Sequence, residues 1–219
     1  MKCARLQCDE IWSFYYAKQK NGPAEHRGPY GYGEVWTWTA IDADTKLMVT
    51  WQVGLRTATD AQAFMFDLAG PITNVAQLTT DGFGAYPPAV REAFGEDVNY
   101  AQLAKVYGSE PAGPGRYSPP QCIGTSCEHV IGAGDPQHIL TSYVKRQNLT
   151  MRMSMRRFTR LTNAFSKKLE NLEHAVALHF MHYNFCRVHQ TLRMSPAMAA
   201  GVADKLWSID DLIGLLDSN

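Results

Sequence analysis

The sequence lacks net charge. Its 219 residues carry 21 Lys and Arg against 21 Asp and Glu, so the total speaks neither for nor against a polyanionic partner, and the distribution of charge has to decide. It also lacks any run of about 18 apolar residues, which argues against a membrane-spanning helix. No secretory leader is visible, because Met1-Lys-Cys-Ala-Arg5 runs straight into a strand pattern. Cysteine is scarce and odd in number, at positions 3, 8, 122, 127 and 186. That usage points to a cytoplasmic protein with free thiols rather than a disulfide framework. Cys3/Cys8 and Cys122/Cys127 share a C-x4-C spacing, but Cys8 adjoins Asp9 in a strand pattern, and structural zinc pairs use tighter spacings held on turns. Two further absences mark the last third. No proline or glycine lies between Pro136 and Pro196, and no acid lies between Lys145 and Lys168.

What is present is organised around Val75-Ala-Gln-Leu-Thr-Thr-Asp81-Gly-Phe-Gly-Ala-Tyr86. Apolar and small residues run into a carboxylate, and two glycines follow, which predicts a buried strand ending at Asp81 and breaking into a turn. A carboxylate at the tip of a central strand is costly to bury without a partner. Cys8-Asp9-Glu10-Ile11-Trp12-Ser13-Phe14 places a second acid, Asp9, within another strand-like run. Two strand-borne acids far apart in sequence suit a divalent cation such as Mg²⁺, which takes one or two carboxylates plus substrate phosphates. Paired ions roughly 3.5–4 Å apart activate a nucleophile and steady a leaving oxygen in phosphodiester chemistry.

Taken in order, residues 4–16 read as the first strand and 17–33 as a Gly- and Pro-rich loop. Residues 34–41 and 47–53 read as two further strands around the turn Asp42-Ala-Asp-Thr-Lys46, giving an antiparallel meander. A helix follows, with Thr59 or Asp60 as its cap and Ala61, Phe64, Met65 and Leu68 at helical spacing. The strand ending at Asp81, a short helix over 88–94 and a strand over 98–107 complete a mixed α/β order. Residues 108–136, with Pro111, Pro114, Pro119 and Pro120, read as one long loop. Asp135 can cap a helix with Pro136 at its first position.

From Lys145 to Lys168 stand eight basic residues. A neutral chain that concentrates its positive charge on one helix predicts a phosphate-contacting surface there. A second helix, about 168–185, carries Leu172, Val176, Leu178, Phe180 and Met181 as its expected core residues. Its His174, His179 and His182 have spacings of five and three, which do not put all three on one face as metal ligands. The remainder, Ser195–Gly201 and Trp207–Leu216, reads as two short capped helices. The boundaries expected are a catalytic domain over 1–167 and a helical extension packed on it over 168–219.

Five segments then match a known pattern in order: Asp9-Glu-Ile-Trp-Ser-Phe, Thr80-Asp81-Gly-Phe-Gly-Ala-Tyr, Tyr143-Val-Lys-Arg-Gln-Asn-Leu-Thr-Met-Arg152, Phe165-Ser-Lys, and Tyr183-Asn-Phe-Cys-Arg-Val-His-Gln-Thr-Leu192 with Ser195-Pro196. Over nearly the whole chain this resembles the DDE transposases of bacterial insertion sequences, the IS-one type in particular. The resemblance implies an α/β, ribonuclease H-like fold: three antiparallel strands, then parallel strands, flanked by helices. It implies Mg²⁺ or Mn²⁺ held by Asp9 and Asp81, DNA as substrate, a homo-oligomer on DNA, and strand cleavage and transfer in DNA transposition. It also implies a catalytic glutamate within a motif like Tyr-Val-Glu-Arg-Gln-Asn, and there this sequence departs, because the matching position is Lys145. A charged lysine cannot ligate the ion and repels it. Glu170 and Glu173 lie some 25 residues further on as substitutes. Arg146 and Asn148 are expected to face the same cleft and contact DNA, with Arg152, Arg156, Arg157 and Arg160 as phosphate clamps. Trp12 and Tyr86 read either as base-stacking or as core residues, and Asn184, Arg187 and His189 as support for the last catalytic helix. Relatives usually carry a DNA-binding region before the first catalytic strand. Here eight residues precede Asp9, so a truncated or decayed copy, or an excised core, is the expectation. The alternative function is a silent remnant that binds DNA or a sister transposase.

Overall fold

In the computed structural model the residues described are 1–26, 32–108, 122–159 and 163–215. Alternation of apolar and polar residues sets the centre of the molecule. β1 (Arg5–Tyr15) is buried on both faces along most of its length. It pairs antiparallel with β2 (Gly33–Asp42), which pairs antiparallel with β3 (Met48–Gly54). On its other side β1 pairs parallel with β4 (Ala76–Asp81), and β4 pairs parallel with β5 (Val98–Tyr107). β6 (Cys122–Ile131) returns antiparallel along β5, so the sheet runs β3-β2-β1-β4-β5-β6. This is an α/β fold with a mixed sheet flanked by helices, consistent with a ribonuclease H-like architecture.

β6 corrects the expectation that residues 108–136 form one long loop. Every residue from Cys122 to His129 is exposed, so the strand has no apolar face for the sequence to announce. What holds it is its ladder with β5, and its β-branched Ile123, Thr125, Val130 and Ile131 suit a pleated edge.

Helices cover the two faces of the sheet, and β1 serves both. Leu6 and Cys8 lie in one core with α1 (Ala58–Ala69) and α2 (Tyr86–Phe94), around Trp38, Phe64 and Tyr86. Ile11 and Tyr15 lie in the other with α3 (Ser142–Ser154) and α4 (Leu169–Met181), around Val144, Met151, Val176 and Phe180. The cap of α1 is Thr57 rather than Thr59 or Asp60. Its extended backbone precedes the helix, its hydroxyl accepts from the Asp60 amide at 3.2 Å, and Asp60 becomes the third helical residue.

The basic stretch is not one helix. α3 stops at Ser154, Met155 is extended, and a 3-10 turn over Arg156–Phe158 buries Phe158 in the second core. Ser166 then bridges Tyr15 in parallel register. Burying Phe158 and pairing Ser166 with the sheet end the helix where periodicity alone would continue it. After α4 the chain makes a π turn over His182–Cys186 and two short helices, α5 (Pro196–Ala199) and α6 (Ile209–Gly214). Ser195 caps α5, and Ser208 with Asp211 forms a capping box on α6. Asp135 caps a 3-10 turn over Pro136–His138 rather than an α-helix.

A candidate acidic metal centre

The β1–β4 ladder ends at Gln7↔Thr79. Extending that register puts Asp9 opposite Asp81 just where the two strands part. Alternation along β1 sends Asp9 toward α3 and Glu10 toward α1 and α2, and the open edge lets both reach Asp81. One carboxylate oxygen from each of Asp9, Glu10 and Asp81 lies within 4.8 Å of the others. The structure therefore brings Asp9 and Asp81 together and adds Glu10. Glu10 escapes sequence reasoning because adjacent strand residues normally serve opposite faces. Its only signal is that it is a second acid, next to Asp9, in a largely buried strand.

Each member is held from a different element. Asp9 Oδ2 accepts from Asn148 Nδ2 on α3 at 3.0 Å, and the Asp9 carbonyl accepts from the Thr39 hydroxyl on β2 at 2.9 Å. Asn148 is thus buried at the acidic cluster itself and not on an outward surface. Asp81 Oδ1 accepts from the Phe83 amide at 3.0 Å, the local Asx turn its sequence favours. Gln102 Nε2 donates to the carbonyls of Asp81 and Phe83 and fastens that turn to β5. Gly82 is required there, since a Cβ would stand 2.9 Å from Ala104 Cβ. Glu10 Oε2 accepts from Arg56 Nε at 3.3 Å, and Arg56 Nη2 is 3.8 Å from Asp81 Oδ2. The Arg56 guanidinium lies 3.9 Å from the Phe83 ring centroid and 5.1 Å from that of Trp36, an aromatic seat suited to a planar cation. Nothing in the pattern around Gly54-Leu-Arg56 marks this arginine in advance.

The electrostatics follow from burial. Desolvation pushes Asp9 up to about 6, opposed first by the positive charge of Lys145 and reinforced by Asp81. Desolvation and then Asp81 push Glu10 up to about 7, with Tyr86 and Arg56 acting against them. The Tyr86 hydroxyl approaches Glu10, yet neither it nor Glu10 Oε1 has a hydrogen-bond partner meeting normal geometry among the described residues. An oxygen-only set of three carboxylates, one with a bare buried oxygen, fits a hard divalent cation. Two protein cations, Lys145 and Arg56, already act on the same acids.

The remaining sequence candidates lie elsewhere. Arg146 lines a separate cavity on another face of α3. Arg152 stands beside Trp12, Lys18 and Phe158 at the end of α3, and the Lys18 ammonium lies 5.9 Å from the Trp12 ring centroid. Arg157 donates to Ser166 Oγ and to the Asn171 carbonyl, ties that hold the chain between α3 and α4. Arg156 is exposed beside Met155 and His182, and Arg160 falls outside the described residues. Tyr86 is core, at 0% exposure. Glu170 and Glu173 are exposed and outside the acidic group. Neither the histidines of α4 nor the cysteines form a metal-ligand cluster among the described residues, and burial lowers His179 to about 4. Asn184 makes two bonds to β3, accepting from the Met48 amide and donating to its carbonyl, both at 2.9 Å.

No helix among the described residues is long and apolar enough to cross a membrane. No family model matches the chain, and no curated protein sequence matches it. Among solved structures the chain is similar to a piggyBac transposase in a synaptic complex with hairpin DNA, at 13% identity and a TM-score of 0.42, over 95% of this chain and 50% of that one. The chain thus spans about half the length of that transposase, and a likeness this distant carries no weight beside the geometry of the acidic cluster.

Proposed function

We propose that the chain is the catalytic part of an insertion-sequence transposase, acting on DNA phosphodiesters with Mg²⁺ or Mn²⁺ and weakened by Lys145. The observation that supports this reading is the convergence of Asp9, Glu10 and Asp81 where the central strands part. Those three carboxylates would hold the ion, which when bound neutralises phosphodiester charge and lowers the pKa of an attacking hydroxyl. Asn148 fixes the Asp9 carboxylate, Arg56 steers Glu10, and Gln102 with Gly82 fixes the Asp81 turn. Lys145 competes with a cation for Asp9 by placing a like charge beside it. DNA is the partner, met first at Arg152, Lys18 and Trp12, and a homo-oligomer on DNA follows from the resemblance.

A second reading is favoured by Lys145 and Arg56 themselves, because they already balance part of the acidic charge. On that reading the chain binds DNA or a sister transposase without cutting. A nicking and strand-transfer assay on supercoiled DNA with Mg²⁺ or Mn²⁺, comparing the chain with Lys145→Glu, separates the two. Cutting by the variant alone, with tighter Mn²⁺ binding, identifies position 145 as the missing third acid. Equal cutting by both makes Glu10 the third acid and Lys145 incidental. Silence from both, with DNA binding intact, leaves the second reading.

A further inference from the structure

The tail motif that follows α4 is not used by the acidic cluster, and it closes a second site. A cavity of 360 Å³ lies between α3, the β2–β3 turn and the tail, lined among others by Lys46, Arg146, Gln147, Arg187, His189 and Thr191. Among the described residues no carboxylate lines it. The acids of the nearby turn are engaged elsewhere. Asp42 accepts from the Thr45 hydroxyl at 2.6 Å, and Asp44 is paired with Arg5. Neither Arg146 nor Arg187 forms an ion pair among the described residues. Lys46 is held in place: its backbone sits at a φ of 62°, its carbonyl accepts from the Tyr183 hydroxyl at 3.1 Å, and its ammonium lies 3.3 Å from the Tyr143 ring centroid. The His189 imidazole, whose Nδ1 meets the Thr191 hydroxyl at 3.1 Å, is lowered by burial and then by the charges of Lys46 and Arg187.

Two guanidiniums and an ammonium around one concavity, with no carboxylate among its described lining residues, form a donor set for a tetrahedral oxyanion. We propose that this cavity is a phosphate-binding site, with Arg146 and Arg187 as its charged donors. It takes either a nucleic-acid backbone phosphate or a free phosphate group. The site stands apart from the acidic cluster and holds whether or not that cluster cuts DNA.

The test uses the full chain in EDTA. Inorganic phosphate binding is followed by calorimetry. Binding of a labelled duplex, and of its single strand, is followed by anisotropy across a salt series. Arg146→Gln with Arg187→Gln is expected to weaken phosphate binding by about tenfold or more. If the source is a backbone phosphate, DNA affinity falls similarly and the log–log salt slope drops by about 1. If phosphate binding falls while DNA binding holds, the source is a free phosphate group. Arg91→Gln with Lys105→Gln removes the same charge at exposed positions outside the cavity and is expected to leave phosphate binding in place. An equal loss in both double variants, the response of a general basic surface, or no phosphate binding by the wild-type chain, overturns the proposal. Mn²⁺ binding at Asp9, measured on the same variants, is expected to be unchanged, so a failure here is distinct from a failure of the transposase reading.

Discussion

Asp9 shows what burying a carboxylate costs the fold. Its carboxyl loses a proton near 3.8 in water but near 6 in the folded chain, chiefly because burial disfavours the charge. Between those values the native state holds the proton that the unfolded state has released, so stability falls as pH rises, and the loss is complete above the folded value. Asp9→Asn removes the titration while keeping an oxygen for Asn148 to bond. The variant is expected to match wild type near pH 4 and to be more stable by about 1–2 kcal/mol at pH 8, measured by urea unfolding. A divalent cation should narrow the gap at pH 8 by stabilising wild type alone. A gap of the same size at both pH values would mean the effect is packing, not charge.

At the scale of the element, α3 decides the site, because it delivers both Lys145 and Asn148 to Asp9. Its first turn has no side-chain cap of its own. Gln7 supplies one from the sheet: its Oε1 accepts from the amides of Tyr143 at 2.9 Å and Val144 at 3.2 Å. The cap therefore fixes the helix to the strand that carries Asp9, two residues away. Gln7→Ala leaves buried N–H donors unmet and is expected to cost about 1–3 kcal/mol in urea unfolding. It should also weaken Mn²⁺ binding, although Gln7 is not among the acids. A loss of stability with Mn²⁺ affinity untouched would show that α3 holds its place without the cap.

For the whole molecule, the two cores share one sheet. Leu172, Val176 and Phe180 of α4 are fully buried with Ile11, Ile41 and Met48 of the sheet. Asn184 adds two bonds to the backbone of β3 beyond the helix. An extension seated this way should not unfold ahead of the sheet. Far-ultraviolet dichroism and tryptophan fluorescence are expected to report one coincident transition. Phe180→Ala should shift it by about 3–5 kcal/mol, and an early phase belonging to α4 alone would show two separable units.

Much of this was legible in local pattern. Alternation marks β1, β2 and β3, the apolar run into Asp81 marks β4, and helical spacing marks α1 and α4, because each buries one face whose period is written in the chain. Asp9 and Asp81 stand out for the same reason, as acids where the pattern calls for apolar or small residues. β6 was not legible, since its partner is a ladder of backbone bonds and its side chains are exposed. The end of α3 was not legible either, since Phe158 is drawn into a distant core and Ser166 pairs with Tyr15. Glu10 joins the acids only because β1 and β4 part beside it, and Arg56 and Gln147 acquire their surroundings from segments far away in the chain. By itself the sequence determined β1 to β5 with the helices between them and the two aspartates set in apolar runs, which depend on neighbours within a few residues. Tertiary structure alone decided the placing of Glu10 beside the two aspartates, the arginine set against it and the closure of the cationic cavity, because each rests on contacts between distant segments that no local period encodes.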